Sequence, residues 1–182
     1  MKALRNVRSA GFTLVEVMVA LLVLGVLVGL GMPSFLEMLR NMEIRSAAES
    51  VANGLQRARA EAVARNTQVR FVLGTGTSWT VDYVNKPVPT DPPIDSRPSS
   101  DSANATMLPE AGDGTAATTV TYNQLGQLLP VNPSVPAGET KPIALIRFAA
   151  ASGTQGLQVL IGAGGNARVC DPHLSPPNIR AC

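Results

Sequence analysis

Histidine occurs once, at His173, and cysteine only twice, at Cys170 and Cys182, in a chain of 182 residues. With so little imidazole and thiol, catalysis has few groups to work with. No serine or cysteine stands in a recognisable nucleophile motif, and no glycine-rich phosphate loop follows a strand and opens a helix. The chain is therefore not expected to be an enzyme, and no cofactor is implied. Excess positive charge is also lacking: Lys and Arg number 15 against 13 Asp and Glu. Lys2, Arg5 and Arg8 crowd the N-terminus, and beyond them the balance is −1. Nothing in the bulk charge announces a nucleic-acid binder.

The two cysteines lie at the extreme C-terminus. A metal site built from Cys170, His173 and Cys182 lacks the fourth ligand that structural zinc requires. A disulfide between Cys170 and Cys182 closes a loop of about 13 residues and stabilises the tail by about 3 kcal/mol in the chain-entropy model. Such a bridge fits an oxidising, extracytoplasmic compartment, and Pro172, Pro176 and Pro177 stiffen the loop it closes.

Charge is missing altogether from Val17 to Leu36, a run of 20 residues. At about 1.5 Å per residue a helix of this length crosses the hydrocarbon of a bilayer. The basic flank predicts that residues 1–10 stay cytoplasmic and that the rest is exported. A cleaved secretory signal needs a shorter apolar stretch and a small-residue cleavage site, and Gly31-Met32-Pro33-Ser34 is a poor one. A plain single-pass anchor fits the length but leaves Glu16 unexplained. An ionisable group inside an apolar spanning helix costs about 2.5–3.5 kcal/mol on insertion scales unless something compensates it.

Gly11-Phe12-Thr13-Leu14-Val15-Glu16, behind a short basic leader and ahead of the apolar run, resembles the processing motif of type IV prepilins and type II secretion pseudopilins. The resemblance implies cleavage between Gly11 and Phe12 by a prepilin peptidase, N-methylation of Phe12 and retention of the helix as anchor. Glycine before the cut leaves the peptide bond accessible. Cleavage creates a positive α-amino group on Phe12, which the Glu16 carboxylate of a neighbouring subunit can neutralise as helices pack in a low-dielectric setting. Pro33 becomes residue 22 of the mature chain, where many type IV pilins carry proline. A proline there kinks or locally melts a helix, or simply marks the membrane exit.

Beyond Pro33 the pattern turns amphipathic. Ile44, Ala48, Val51, Leu55, Ala58 and Ala62 form one apolar stripe, which predicts a helix to about Asn66. Gly54 interrupts it at a cost of roughly 1 kcal/mol against alanine. The expected organisation is a leader over 1–11, a membrane or filament-core helix over 12–36, its amphipathic continuation over 37–66, and a β-sheet region over 67–182. Strand-like runs occur at 68–73 and 78–84 around a Gly74–Thr77 turn, then at 118–122, 143–148, 156–161 and 167–170. Residues 86–107, with five prolines between Pro87 and Pro98, read as a long mobile loop unable to bury a core. The fold class is α+β: a long N-terminal helix packed on an antiparallel sheet, ending in a disulfide loop.

The segment from Val120 to Gly126 and the ending Gly165-Asn166-Ala167-Arg168-Val169-Cys170-Asp171-Pro172 resemble the GspH/FimT group of minor pilins and pseudopilins. That resemblance implies a subunit in the bacterial inner membrane, its C-terminal domain in the periplasm, incorporated into a type IV pilus or a type II secretion pseudopilus. Its partners would be the peptidase, other minor pilins or pseudopilins, and membrane lipid. An alternative function is DNA uptake, since some FimT-type pilins carry a Gly-Arg-x-Arg tail. Here Gly165-Asn166-Ala167-Arg168 matches one arginine. Lys141, Arg147, Arg168 and Arg180 against Asp171 leave the last 42 residues at +3, so Arg168 and Arg180 are the candidate phosphate contacts.

Overall fold

Thr13 starts the helix. Its hydroxyl accepts the Glu16 backbone N–H at 3.2 Å and its carbonyl accepts that of Val17 at 3.2 Å, so it serves as N-cap to α1, Leu14–Ala64. The sequence Thr13-x-x-Glu16 has the spacing of a capping box. At the other end Asn66 adopts φ 50°, and Thr67 and Asn66 donate to the carbonyls of Ala62 and Val63. These are the two bonds of a Schellman ending, with Asn in the left-handed position that glycine usually takes. The expected helix end near Asn66 is thus set by a specific cap.

The computed structural model describes residues 11–86, 88–133, 140–150 and 156–182. Of the leader expected over 1–11, residues 1–10 lie outside them. Chain contacts define two units, Met1–Leu39 and Arg40–Cys182, and α1 contributes to both. In the first unit every residue from Gly11 to Leu39 is exposed, including Phe12, Leu14 and Leu30. No non-helical residue interrupts α1 at Pro33. The proline only removes the N–H that would have bonded the carbonyl one turn earlier.

In the second unit the predicted stripe is the buried face of α1: Ile44, Ala48, Val51, Leu55, Ala58 and Ala62 are each at most 1% exposed. Half of its members are alanine, which brings the helix close to the strands it covers. Leu55 alone, by its size and burial, contributes about 2–5 kcal/mol against alanine. The strands are β1 (Val69–Leu73), β2 (Trp79–Tyr83), β3 (Asp95–Arg97), β4 (Ala105–Ala111), β5 (Thr119–Tyr122), β6 (Ile143–Ala150), β7 (Leu157–Ile161) and β8 (Ala167–Cys170).

They form two four-stranded antiparallel sheets, ordered β3-β2-β1-β5 and β4-β6-β7-β8, where one sheet was expected. After β3 the chain crosses to β4, returns to lay β5 beside β1, and crosses back to β6. Phe71, Val81 and Val120 from one sheet and Ile146, Phe148 and Val159 from the other share one core with α1. All four residues of β5 are buried. Its outer edge is closed by the chain that follows: Leu129 donates to the Thr121 carbonyl at 2.9 Å, and the Asn132 side-chain amide donates to the Thr119 carbonyl at 2.9 Å. Covering an edge in this way removes a template for unwanted strand pairing.

The reading of residues 86–107 as a coreless mobile loop is corrected. β3, the 3-10 turn Ser99–Ser102 and the start of β4 all fall inside it, and Ser102 and Ala105 are buried. Polar fastening holds the segment where apolar burial cannot. Arg97 donates to the Ser46 carbonyl at 3.1 Å, to the Ser46 hydroxyl at 3.3 Å and to the Ser102 hydroxyl at 3.0 Å. Asn104 donates from its backbone and its side chain to Glu43. The segment is thereby tied to the same stretch of α1 that packs the core.

Gly54 also acquires a role. A Cβ added there would stand 2.8 Å from Phe71 Cε2 and 3.2 Å from two ring atoms of Trp79. The two rings lie 5.6 Å apart, tilted by 31°, and the Trp79 indole N–H donates to the Ser50 hydroxyl at 3.0 Å. The helix gives up a side chain at Gly54 so that an aromatic pair can lie against its backbone.

Candidate functional site

Two regions carry the residues singled out from the sequence. At the N-terminal end Gly11, Phe12 and Thr13 are non-helical and precede α1 directly. Among the described residues, chain neighbours aside, nothing lies within 4 Å of where a Gly11 side chain would begin, and Phe12 is 83% exposed. The Gly11–Phe12 bond therefore sits in accessible backbone one residue before the capping threonine. Glu16, in the first turn, is exposed, and a carboxylate there is favoured by the positive end of the helix dipole. The Thr13 cap was overlooked at the level of sequence, although Thr-x-x-Glu ahead of an apolar run is its local signal.

The second region is the C-terminal tail. Cys170 and Cys182 are bonded, with Cα atoms 5.1 Å apart, so neither sulfur is left as a thiolate to join His173 on a metal. Asp171 bridges Ala181 inside the loop, and the Asp171 N–H donates to the Arg180 carbonyl at 2.7 Å. The loop therefore folds back on itself beside β8. Arg168 donates to the Cys182 carbonyl at 3.2 Å. Arg180 shares a small cavity of about 130 Å³ with Arg45, Glu49 and Asp171. Of the other cations in this stretch, Lys141 pairs with Asp113 and Arg147 with Glu110. Hydrogen bonds from Lys141 and then Thr115 hold the Asp113 carboxyl well below its ordinary range.

The turn between β5 and β6 meets the turn between β7 and β8. Asn123 accepts the N–H groups of Leu125 and Gln127 on its side-chain oxygen, at 3.0 and 2.9 Å, and Gly126 turns the chain at φ 72°. Gly165, at φ 82°, lies so close that a Cβ would fall 2.5 Å from the Gly126 carbonyl oxygen and 3.0 Å from Tyr122 Cε1. The two glycine-containing signatures noted in the sequence, 45 or so positions apart in the chain, are thus one contact in the fold. Tyr122 lies beneath it, fully buried, and burial pushes its phenol well above the ordinary value while the nearby Arg59 charge pulls it down.

An exposed apolar helix, a Gly-Phe bond ahead of its cap, and an α+β body closed by a disulfide define a pilin-like subunit. A family model described as type II transport protein GspH matches residues 47–176, and one described as the prokaryotic N-terminal methylation motif matches residues 6–32. The chain belongs to the GspH family of minor pilins and pseudopilins, a family of structural subunits rather than enzymes. Among solved structures it is similar to the type IV minor pilin FimU of Pseudomonas aeruginosa, at 19% identity and a TM-score of 0.52, over 76% of this chain and 96% of that one. It is also similar to the minor pseudopilin EpsH from the type 2 secretion system of Vibrio cholerae, at 12% identity and a TM-score of 0.52, over 72% of this chain and 99% of that one. Both likenesses support the pilin fold.

Proposed function

We propose that the chain is a minor subunit of a type IV pilus or a type II secretion pseudopilus, made as a precursor, cut between Gly11 and Phe12 by a prepilin peptidase and N-methylated on Phe12. One observation carries this reading: the residues from Gly11 to Leu39 are exposed, and nearly all of those within the helix are apolar. A helix apolar all round has to be covered, first by lipid and then by the helices of other subunits. Two carboxylates interrupt this apolar surface, Glu37 past the charge-free run and Glu16 at its start, and the counter-ion of Glu16 is the α-amino group that cleavage creates on an adjacent subunit. Anchored in the inner membrane by this helix, the chain places residues 40–182 in the periplasm, where the Cys170–Cys182 bridge is stable.

The decisive measurement is the mass of the N-terminal peptide from the full chain, made in cells with an active prepilin peptidase. The expected terminus is N-methylated Phe12, and a chain that still begins at Met1 would falsify the reading. Replacing Glu16 by valine should leave processing intact and abolish incorporation into filaments. The DNA-uptake alternative rests on Arg168 and Arg180. It predicts salt-sensitive DNA retention that disappears when both are changed to alanine.

A further inference from the structure

Of Arg45, Arg57, Arg59 and Arg65, on or just past the second half of α1, three pair with a glutamate among the described residues and Arg59 does not. Arg45 pairs with Glu49 at 2.8 Å, Arg57 with Glu61 at 3.0 Å, and Arg65 with Glu61 at 2.9 Å, each across one turn. For Arg59 the residue one turn on is Val63 and the residue one turn back is Leu55, and no carboxylate pairs with it among the described residues. Its Nε donates to the Gly126 carbonyl at 2.9 Å, which pins the half-buried side chain against the turn after β5. The two Nη groups make no further hydrogen bond among the described residues. The buried Tyr122 phenol stays neutral and supplies no anion from within.

Arg59 opens onto a groove of about 600 Å³. Gln56, Ala60 and Val63 line it from the helix, and Asn166 and Ala167 from the β7–β8 turn. No acid is among its walls within the described residues. Val63 is 51% exposed, and Leu125, beside Gly126, is 75% exposed. By contrast, the arginines of the groove beside Trp79 are each compensated from inside the chain, Arg45 by Glu49, Arg57 by Glu61 and Arg97 by Asp101. An apolar trough with one pinned, uncompensated guanidinium calls for a ligand that brings a carboxylate and apolar cover together. A guanidinium fork grips a carboxylate with two parallel bonds, and partial desolvation by the alanine and valine walls strengthens them. A phosphodiester backbone, charged at every step, would find one cation here and alanine and valine along much of the rest.

We propose that this groove seats an acidic side chain flanked by apolar residues on a neighbouring pilin-type subunit. The proposal rests on the filament-subunit reading and specifies the chemistry of one contact within it. Val63→Glu tests it, because a glutamate four residues after Arg59 supplies the counter-ion in cis, at the spacing of Arg45 and Glu49, and leaves the Arg59–Gly126 bond in place. Asn53→Glu, exposed and outside the groove, adds the same charge as a control. The full chain is expressed in cells that assemble the filament, and the processed chain in membranes and in sheared filaments is quantified by mass spectrometry. The expected result is wild-type processing for both variants, with filament incorporation reduced about tenfold or more for Val63→Glu and unchanged for Asn53→Glu. Undiminished incorporation of Val63→Glu overturns the groove assignment alone. Failure of the wild type itself to enter filaments overturns the filament reading and the groove with it. DNA retention that Val63→Glu abolishes while incorporation stays intact also overturns the proposal, assigning the groove to phosphates.

Discussion

Replacing Gly54 by alanine sets two physical rules against each other. In an isolated helix the change would stabilise by about 1 kcal/mol, because glycine is the poorer helix former. Here the new Cβ meets Phe71 Cε2 at 2.8 Å and the Trp79 ring at 3.2 Å. Phe71 is fully buried and Trp79 is 6% exposed, so neither ring can swing into solvent to make room. Overpacking of this kind costs about 1–3 kcal/mol. The sum is a net loss of about 1 kcal/mol, or a fall of a few degrees in Tm for a unit of this size. Trp79 is the chain's sole tryptophan, so urea unfolding of residues 40–182 followed by its fluorescence reads the perturbed site directly. Asn53→Ala, exposed on the adjacent position, should stay within about 0.5 kcal/mol of wild type. In a Phe71→Leu background the Gly54→Ala cost should shrink, because the nearest clashing atom is gone. If Gly54→Ala proves as stable as wild type or more so, helix propensity governs the position and the ring contact is not what keeps it glycine.

Changing both Cys170 and Cys182 to alanine should lower stability by about 3 kcal/mol in the chain-entropy model, measured by the same unfolding curves, with a matching loss when the wild type is reduced. Gly165→Ala combines a left-handed backbone with a Cβ 2.5 Å from the Gly126 carbonyl, and should cost at least about 2 kcal/mol; a smaller loss would mean that the two turns do not touch. Asp113, held below its ordinary value of 3.8 by Lys141 and Thr115, contributes stability that is present above that value and is lost as pH falls through its lower folded value. Acid titration of wild type and Asp113→Asn should therefore show a small, salt-sensitive gap at neutral pH that closes at the acid end, and a gap that widens toward low pH would reverse the sign of the argument.

Much of the architecture was legible because it is written in local periodicity. The stripe from Ile44 to Ala62 names the buried face of α1, and alternation at Val69, Phe71 and Leu73 and at Trp79 and Val81 names the inward faces of β1 and β2. β4 escaped because it is an edge strand whose buried residues are only Ala105 and Ala111, with Pro109 between them; an edge tolerates proline and needs no alternation. The division into two sheets escaped for a different reason. β4 lies between β3 and β5 in the chain yet pairs with β6, and no local pattern encodes a partner on the far side of β5.

The candidate site divides along the same line. Gly11, Phe12 and Glu16 were readable because the proposed processing site and the helix start both lie in contiguous residues. Arg59 was not, because its meaning depends on groups distant in the chain. Gly126, which holds it, is 67 positions away, and Asn166 and Ala167 lie further on still. What distinguishes Arg59 from Arg45, Arg57 and Arg65 is a missing partner, and a missing partner becomes visible only once every neighbour has been placed. The same logic explains residues 95–104, where proline and serine suggested mobility. Arg97 joins Ser46, Asp101 and Ser102 in one hydrogen-bonded cluster, so a single cation, aimed at a helix 51 positions earlier, outweighs the composition of the whole segment.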